Sequence, residues 1–239
     1  MNRDAGKPKA IAVVPAYNEE KTVATVVNEI KNSVPDIDVV VIDDGSEDNT
    51  FDKAKEAGAF VIRHPFNMGI GATVQTGFKF AVMRGYDIAI QVDGDGQHDP
   101  KFIPYMLEII SAGDADVVSG SRFLKKEGFQ SSKIRRIGIK IFEHVYRILT
   151  GLKITDCTSG FRAFNRKALE FVAKNYPEDY PEPEVIILIH KANFRIKEIP
   201  VVMRARQGGK TSIKGLKSLH YMLKVIFALF MHALRKVEK

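Results

Sequence analysis

Cysteine is almost absent from this chain of 239 residues, in which Cys157 stands alone. No disulfide can form within the chain, and nothing else in the sequence points to an oxidising compartment, so we expect a cytoplasmic setting. Cys157 itself is expected to be a small buried residue. The N-terminal segment is charged and has no apolar stretch, so no secretory signal is predicted. No run reaches the ~18 apolar residues of a spanning helix, so any membrane contact is expected to be peripheral.

Internal repeats and low-complexity tracts are also lacking, so nothing in the sequence requires a second domain. A chain of this length with 45% hydrophobic residues can bury one substantial core. Its net charge of +7 favours anionic partners such as nucleotides, phosphates or anionic lipid headgroups. The charge does not choose among them.

Short runs rich in valine and isoleucine alternate with helical patterns through the first half of the chain. This alternation predicts βα units around a mainly parallel sheet. Strands are predicted at residues 10–14, 39–42, 60–62, 88–92, 116–119 and 196–203. The first helix is predicted to pack through one apolar stripe, with Asn18 as its N-cap and the stripe formed by Val23, Val26, Val27 and Ile30.

The second half has a different pattern. A polar loop is predicted at 125–133 and a basic helix at 134–149. Pro177, Pro181 and Pro183 are predicted to break any helix between residues 171 and 185. The last segment, 213–235, is predicted to be helical and strongly apolar, yet too short and too often interrupted by charge to span a membrane.

Two carboxylates separated by one glycine, Asp93 and Asp95, follow the predicted strand at 88–92. In an extended backbone residues two apart face the same side, so both can bind one cation at the carboxyl end of the strand. Oxygen ligands suit Mg²⁺ or Mn²⁺, which keep positions open for substrate phosphates, and the carboxyl ends of parallel strands are where α/β sheets bind ligands. The alternative is a capped acidic turn, because DGDG is also good turn chemistry.

Two other predicted strands end in polar side chains. Asp43 and Asp44 follow the second strand, where one carboxylate can accept hydrogen bonds from a base or ribose; a helix cap from Ser46 or Asp48 is the alternative. The segment 15–19 brings an aromatic ring and a carboxylate to the end of the first strand. An N-cap with a packed tyrosine is the simpler interpretation there.

The order of several motifs along nearly the whole chain resembles that of glycosyltransferase family 2, and within it the dolichyl- or polyprenyl-phosphate sugar synthases. The motifs are PAYNEE, VVVIDDGSEDNT, HPFNMGIGATVQTGF, QVDGDGQHDP, VVSGSRF, DCTSGFRAFNRKAL and IPVVMRARQGGKTSI. The resemblance implies an α/β GT-A fold, a single Rossmann-like domain with a mainly parallel central sheet and C-terminal amphipathic helices. We therefore expect a catalytic domain at 1–212 and an amphipathic, interfacial helix at 213–239.

The same resemblance implies the site residues. The nucleotide-sugar pocket is expected to be lined by Pro15, Ala16, Tyr17, Glu19, Asp44, Gly71, Asp93 and Gly94. A Mg²⁺ or Mn²⁺ ion and the donor diphosphate are expected at Asp93, Asp95 and Gln97. The acceptor and its phosphate are expected at Arg136, Ser159 and Lys210. The catalytic set is expected to be Asp95, Arg122 and Arg206.

Arginine is a suitable residue for these phosphates because its guanidinium binds them through two parallel hydrogen bonds. Arg135 and Arg204 also flank the predicted loops, where they can equally be solvated surface charges. His98 follows the metal motif, and we expect it to cap or pack rather than to ligate. The segment 176–184 departs from the family pattern because its acids come early and Ile187 stands where a later acid is expected, which leaves the acceptor open.

The expected reaction is an inverting, metal-dependent hexosyl transfer from GDP-mannose or a UDP-sugar to a polyprenyl or dolichyl phosphate. The alternative is transfer to a hydroxyl of a growing cell-surface glycan. A nucleotidyltransferase is disfavoured because PAYNEE lacks a glycine- and lysine-rich signature, and a non-catalytic scaffold because the acids and arginines are intact. We expect a peripheral enzyme on the cytoplasmic face of the membrane, with a separate membrane-spanning subunit as a further partner and no nucleic acid.

Overall fold

In the computed structural model, residues 8–125, 133–205, 224, 226–227 and 229–231 are described, with the backbone alone for 133–139. The strands are β1 (Ala10–Ala16), β2 (Asp38–Asp43), β3 (Phe60–Arg63), β4 (Ile88–Gln91), β5 (Val117–Ser121), β6 (Arg162–Asn165) and β7 (Ile196–Pro200). The helices are α1 (Val23–Ser33), α2 (Thr50–Glu56), α3 (Ile70–Met83), α4 (Ile103–Ser111), α5 (Lys133–Thr150), α6 (Arg166–Asn175) and α7 (Pro181–Lys191).

One seven-stranded sheet organises the described chain, in the order β3-β2-β1-β4-β6-β5-β7. Strands β1 to β4 run parallel, and β6 runs antiparallel to both of its neighbours, β4 and β5. Strand β7 pairs parallel with β5. The carboxyl ends of β1, β2, β4 and β5 therefore lie along the same edge, which is where α/β sheets bind their ligands.

Helices α1, α2 and α4 cover one face of the sheet. The predicted stripe of α1 is buried there with the apolar residues of α4, among them Ile103 and Met106. The predicted N-cap is wrong: α1 begins at Val23 after Thr22, without a side-chain cap hydrogen bond, and Asn18 lies four residues earlier with a φ of 54°. The PAYNEE segment therefore turns before the helix begins.

Helices α3, α6 and α7 cover the opposite face, where Phe78 and Phe164 pack edge to face with ring centroids 5.1 Å apart. A third apolar cluster joins α5 to α7 and includes Phe142, Tyr146 and the buried Cys157. The expected role of Cys157 is confirmed. Among the described helices, none is long and apolar enough to cross a membrane.

Two differences from the predicted elements have physical causes. Strand β6 was not predicted because its sequence, RAFN, is short and has a charged residue at its first position. The predicted break between 171 and 185 is present, since α6 ends at Asn175 and α7 begins at Pro181, but Pro181 and Pro183 lie in the first turn of α7 rather than outside a helix. Proline is tolerated in a first turn, since the backbone N–H groups it lacks there have no partner within the helix. The predicted domain boundary at residue 212 lies outside the described residues.

Candidate active site

The ends of three strands are tied together by backbone hydrogen bonds at the carboxyl edge of the sheet. The carbonyl oxygen of Pro15 accepts from Gly94 N–H at 3.2 Å, and that of Ala16 accepts from Asp44 N–H at 2.8 Å. Thr22 Oγ1 donates to the Gly94 carbonyl at 2.7 Å. Four residues predicted to line the nucleotide pocket therefore lie side by side around the end of β1, namely Pro15, Ala16, Asp44 and Gly94.

The DGDG segment follows β4 at this edge. The Asp93 side chain is 35% exposed, whereas Asp95 is buried and its Oδ1 accepts from Gln97 N–H at 3.0 Å. The loop before β6 passes close to Asp93 at Gly160. A Cβ on Gly160 would lie 3.2 Å from Asp93 Oδ1, so glycine allows this approach.

The carboxylates of Asp93 and Asp95 fit a hard divalent cation that completes its coordination with substrate phosphates and water. In the described part of the chain no group of three or more histidine, cysteine or acidic side chains is arranged to hold a metal.

His98 packs beneath this loop. Its ring stacks on Phe161 with centroids 4.9 Å apart, and its Nδ1 accepts from Asp93 N–H at 3.0 Å. Burial lowers the pKa of His98 to about 4, so the ring is neutral and carries its proton on Nε2, 3.6 Å from Asp93 Oδ2. The expectation of a packing role is consistent with these contacts.

Asp44 organises the loop that leads into α3. Its buried carboxylate accepts from Met68 N–H and Gly69 N–H, both at 2.9 Å, and its Oδ1 lies 2.8 Å from His64 Nδ1. Nothing in the sequence singles out His64, whose partner is 20 residues away. Asp44 thus links the end of β2 to the start of α3, whether or not a base also contacts it.

The PAYNEE turn presents Tyr17 outwards, half-exposed at the edge of the sheet. Glu19 is buried, and its Oε2 accepts from Thr22 Oγ1 at 3.1 Å. The two predicted helix caps after β2 have separate roles: Ser46 Oγ accepts from Asn18 N–H at 2.9 Å, and Asp48 Oδ1 accepts from Thr50 N–H at 3.0 Å. Only Asp48 acts near the start of α2.

Gly71, predicted to line the nucleotide pocket, lies in the first turn of α3 against another segment of the chain. A Cβ there would come within 2.4 Å of the Pro177 carbonyl oxygen and 2.6 Å of that of Glu178. The glycine is therefore needed for close packing against the turn before α7. Its predicted contact with the nucleotide stays a prediction.

Arg122 follows β5 and is buried against the loop that contains Ser159. Asp156 binds its guanidinium through both carboxylate oxygens, and Arg122 Nη2 also donates to Thr158 Oγ1 at 2.7 Å. Ser159 is buried, and its Oγ accepts from Phe161 N–H at 3.3 Å. The same loop passes close to Asp93, since a Cβ on Gly160 would lie 3.2 Å from Asp93 Oδ1, so Arg122 and Asp93 flank one loop.

Arg204 is not a solvated surface charge. Its Nη1 donates to Glu29 Oε2 at 2.7 Å and its Nη2 to Asp99 Oδ1 at 3.2 Å. Its backbone N–H donates to the Gln97 carbonyl at 2.9 Å. This hydrogen bond joins the segment after β7 to the turn that follows the DGDG segment. Of the other predicted basic residues, Arg136 is described only by its backbone position on α5, and Arg206 and Lys210 lie outside the described residues.

Glu184, in the first turn of α7, has a raised pKa because it is buried and lies near other acids. Burial raises the pKa of Glu184 to about 7, with further contributions from the charges of Asp179 and Glu182. A carboxyl group with such a pKa exchanges protons near neutral pH, which is the property a general base requires.

The chain is an α/β protein with acids at the carboxyl edge of its sheet, the edge at which such folds bind their ligands. The family model described as glycosyl transferase family 2 matches residues 11–172, and the chain belongs to that family. The expectation from the sequence motifs is confirmed.

Two relatives match most of the chain. The polyprenol monophosphomannose synthase of Mycolicibacterium smegmatis is 28% identical over 227 residues, which cover 91% of this chain and 85% of that protein. The UDP-N-acetylglucosamine–dolichyl-phosphate N-acetylglucosaminyltransferase of Methanococcus voltae is 32% identical over 209 residues, covering 79% of this chain and 83% of that protein.

A solved structure shares the fold. Glucosyl-3-phosphoglycerate synthase from Mycobacterium tuberculosis, crystallised with Mn²⁺, UDP-glucose and phosphoglyceric acid, matches with a TM-score of 0.72 at 20% identity. The match covers 97% of this chain and 81% of that one. The structural match confirms the predicted GT-A fold. The family match and the named relatives show that this chain is a glycosyltransferase.

Proposed function

We propose that this enzyme transfers a sugar from a nucleoside-diphosphate sugar, GDP-mannose or a UDP-sugar, to a polyprenyl or dolichyl phosphate, with inversion at the anomeric carbon. One observation carries the proposal: the carboxylates of Asp93 and Asp95 follow β4, and a buried arginine oriented by Asp156 follows β5, at the same carboxyl edge of the sheet. Carboxylates suit a cation that binds a diphosphate, and the arginine suits the phosphate itself.

The donor is proposed to bind with its diphosphate at the DGDG segment. Asp93 and Asp95, with Gln97, would hold Mg²⁺ or Mn²⁺, which when bound neutralises charge on the leaving diphosphate. Arg122 donates hydrogen bonds to the same phosphates, and Asp156 keeps its guanidinium in one orientation. Charge stabilisation by groups already in place is the largest contribution expected at such a site.

A phosphate acceptor fits this set of residues. Its second pKa is ~6, so at neutral pH it is already an anionic nucleophile and needs no strong base. The two relatives described above carry names that specify polyprenol or dolichyl phosphate, as does an undecaprenyl-phosphate mannosyltransferase of Micrococcus luteus that is 28% identical over 216 residues. The acceptor phosphate is proposed to approach past Ser159, with Arg136 and Lys210 as further ligands.

The lipid tail of such an acceptor stays in a bilayer, so the enzyme is proposed to bind the cytoplasmic membrane surface. Ile148 on α5 is 70% exposed and Phe227 is 67% exposed. Exposed cations accompany them, namely Lys140, Arg147 and Lys224. Apolar faces flanked by cations are typical of helices that lie in an interface. A separate spanning subunit is an additional partner in this proposal.

Transfer to a glycan hydroxyl is the second candidate, and the raised pKa of Glu184 favours it. A hydroxyl acceptor needs a base, and Glu184→Gln keeps the size of the side chain while removing basicity. A thousandfold loss of turnover with donor binding retained would support the hydroxyl acceptor. A modest loss supports the phosphate.

The direct test is incubation of the purified enzyme with radiolabelled GDP-mannose and a panel of UDP-sugars, with Mn²⁺ and polyprenyl phosphate. The proposal expects label from one donor to enter the lipid phase. Label that stays in the aqueous phase with every donor, while glycan acceptors become labelled, would overturn it.

A further inference from the structure

Polar side chains form a row across four adjacent strands, on the face covered by α3, α6 and α7, with three of them buried and Glu198 partly buried. Gln91 of β4 pairs with Arg162 of β6, Arg162 with Ser119 of β5, and Ser119 with Glu198 of β7. Paired residues on neighbouring strands project to the same face. The next row on the same face, farther from the carboxyl edge of β4, is apolar: Ala89, Phe164, Val117 and Ile196 pair in the same order and lie in or against one core cluster. The row is therefore a polar layer at the end of an apolar core.

The Glu198 carboxylate in this row accepts from the backbone of the loop above it. Its Oε2 accepts from Thr155 N–H at 2.8 Å and from Thr155 Oγ1 at 3.0 Å, and its Oε1 accepts from Asp156 N–H at 3.0 Å. Both carboxylate oxygens are thus used on two consecutive residues. A hydrogen bond to an ionised acceptor is about twice as strong as a neutral one, so this end of the loop is firmly held.

Arg162 holds the next residue of the same loop. Its guanidinium is buried, and Nη2 donates to the carbonyl oxygens of Cys157 at 3.2 Å and Glu182 at 2.8 Å. Among the described residues, the buried Nε and Nη1 atoms of Arg162 have no hydrogen-bond partner. A guanidinium is costly to bury in this way, so the two hydrogen bonds to the Cys157 and Glu182 carbonyls offset part of that cost and hold the arginine against the loop.

Asp156, which lies between these two contacts, is the residue that orients Arg122. Its backbone N–H is bound by Glu198, and its side chain binds the Arg122 guanidinium through both oxygens. A change in the loop backbone would therefore move the carboxylate and the guanidinium together.

We propose that Glu198 is a positioning residue for phosphate binding: it fixes the backbone of Thr155 and Asp156, and Asp156 in turn fixes Arg122, with Arg162 holding the loop at Cys157. Glu198 itself does not touch substrate. This inference rests on the proposed function, because it takes the phosphates of the donor as the ligand of Arg122.

The test compares Glu198→Gln with the wild type in binding titrations of UDP and GDP, each with Mn²⁺ present, and of uridine and guanosine as phosphate-free probes. Glutamine keeps the shape but presents one acceptor instead of two, so we expect binding of the preferred nucleotide to weaken about tenfold. Binding of the corresponding nucleoside should not change. Equal weakening of both would overturn the inference, because it would mean a general disturbance of the pocket.

Lys197→Ala is the matched control, since Lys197 precedes Glu198 on β7, projects to the opposite face and forms an exposed ion pair with Asp114 at 3.6 Å. We expect it to bind UDP or GDP as the wild type does. If Glu198→Gln does not fold, Glu198→Asp retains the charge but withdraws it from the loop, and it should show the same selective loss of nucleotide binding.

A double-mutant cycle with Arg122→Gln decides whether the effect passes through Arg122. If it does, adding Glu198→Gln to Arg122→Gln should weaken nucleotide binding by less than twofold more. Additive losses would overturn the inference. A wild type that binds neither UDP nor GDP would overturn the proposed donor class and this inference with it, whereas a Glu198→Gln variant that binds like a competent wild type overturns the inference alone.

Discussion

Asp156 binds the guanidinium of Arg122 with both of its oxygens, at 2.6 Å from Nε to Oδ2 and 2.6 Å from Nη2 to Oδ1. The Asp156 side chain is fully buried and that of Arg122 nearly so. Burying two charges is costly, and close bidentate geometry is what offsets the cost. The two hydrogen bonds therefore hold the Arg122 guanidinium in one orientation. An exposed arginine without such a partner has no fixed orientation.

Replacing Asp156 by Asn should destabilise the fold strongly, because the Arg122 charge would stay buried without its partner. We expect a loss of about 3 kcal/mol or more in the free energy of unfolding, measured by urea titration. The control is Asp114→Asn, which breaks an exposed pair with Lys197 and should cost less than about 1 kcal/mol. Equal losses in the two variants would show that Asp156 does not hold a buried charge.

Asp95→Ala should abolish transfer and leave the fold intact, since it removes a proposed metal ligand rather than an apolar core group. Turnover is expected to fall at least about a hundredfold, and Mn²⁺ binding followed by electron paramagnetic resonance should weaken. Asp52→Ala, which changes an exposed acid of α2, should match the wild type in both measurements. Unchanged turnover at saturating Mn²⁺ would rule out the metal assignment.

Much of the sheet could be predicted from the sequence, because β1, β2 and β4 are runs of Val, Ile and Ala buried on both faces. Such runs are typical of parallel strands between two helical layers. Strand β6 could not be predicted in the same way, because Arg162 and Asn165 break its apolar pattern and its pairing with β4 is antiparallel. Only the assembled sheet shows why an arginine lies in its middle.

The site was predictable where its residues are adjacent in sequence, as with Asp93 and Asp95. The partners that orient those residues were not, because they lie far along the chain: His64 contacts Asp44 across 20 residues, and Glu198 contacts Asp156 across 42. No local spacing rule reports a contact of that range. The motifs thus indicated which residues act, and the fold shows what holds them.

The raised pKa of Glu184 should make stability depend on pH. The folded chain holds this proton up to about pH 7, whereas the ordinary value is 4.5, so between these values the folded state binds more protons than the unfolded state. Stability from this group therefore falls as pH rises through that window. Glu184→Gln should stabilise the fold at about pH 8 by about 1 to 3 kcal/mol and have little effect at about pH 4.

Urea titrations at both pH values check this prediction. Glu170→Gln is the control, because Glu170 is exposed and pairs with Arg166 on the surface of α6. It should show no comparable gain at the higher pH. If Glu184→Gln loses stability at the higher pH instead, the carboxylate is paired there and its pKa is not raised.

Removal of residues 216–239 should release the enzyme from anionic liposomes. Each lysine or arginine near an anionic surface contributes ~1 kcal/mol, and the apolar side chains add to this, so binding should be reversible and weakened by salt. Cosedimentation of full-length and truncated protein at low and high salt is the measurement. Full-length protein that stays in the supernatant at low salt would contradict the interfacial model.

The central claim is that the acceptor oxygen belongs to a lipid phosphate. The most direct measurement is mass spectrometry of lipid extracts after incubation of the enzyme with undecaprenyl phosphate, Mn²⁺ and each nucleotide sugar in turn. The account predicts a lipid heavier by one sugar residue, joined through a phosphodiester that forms with one donor and is lost in Asp95→Ala. Unmodified undecaprenyl phosphate with every donor, together with sugar transfer to a hydroxyl of an added glycan, would contradict it.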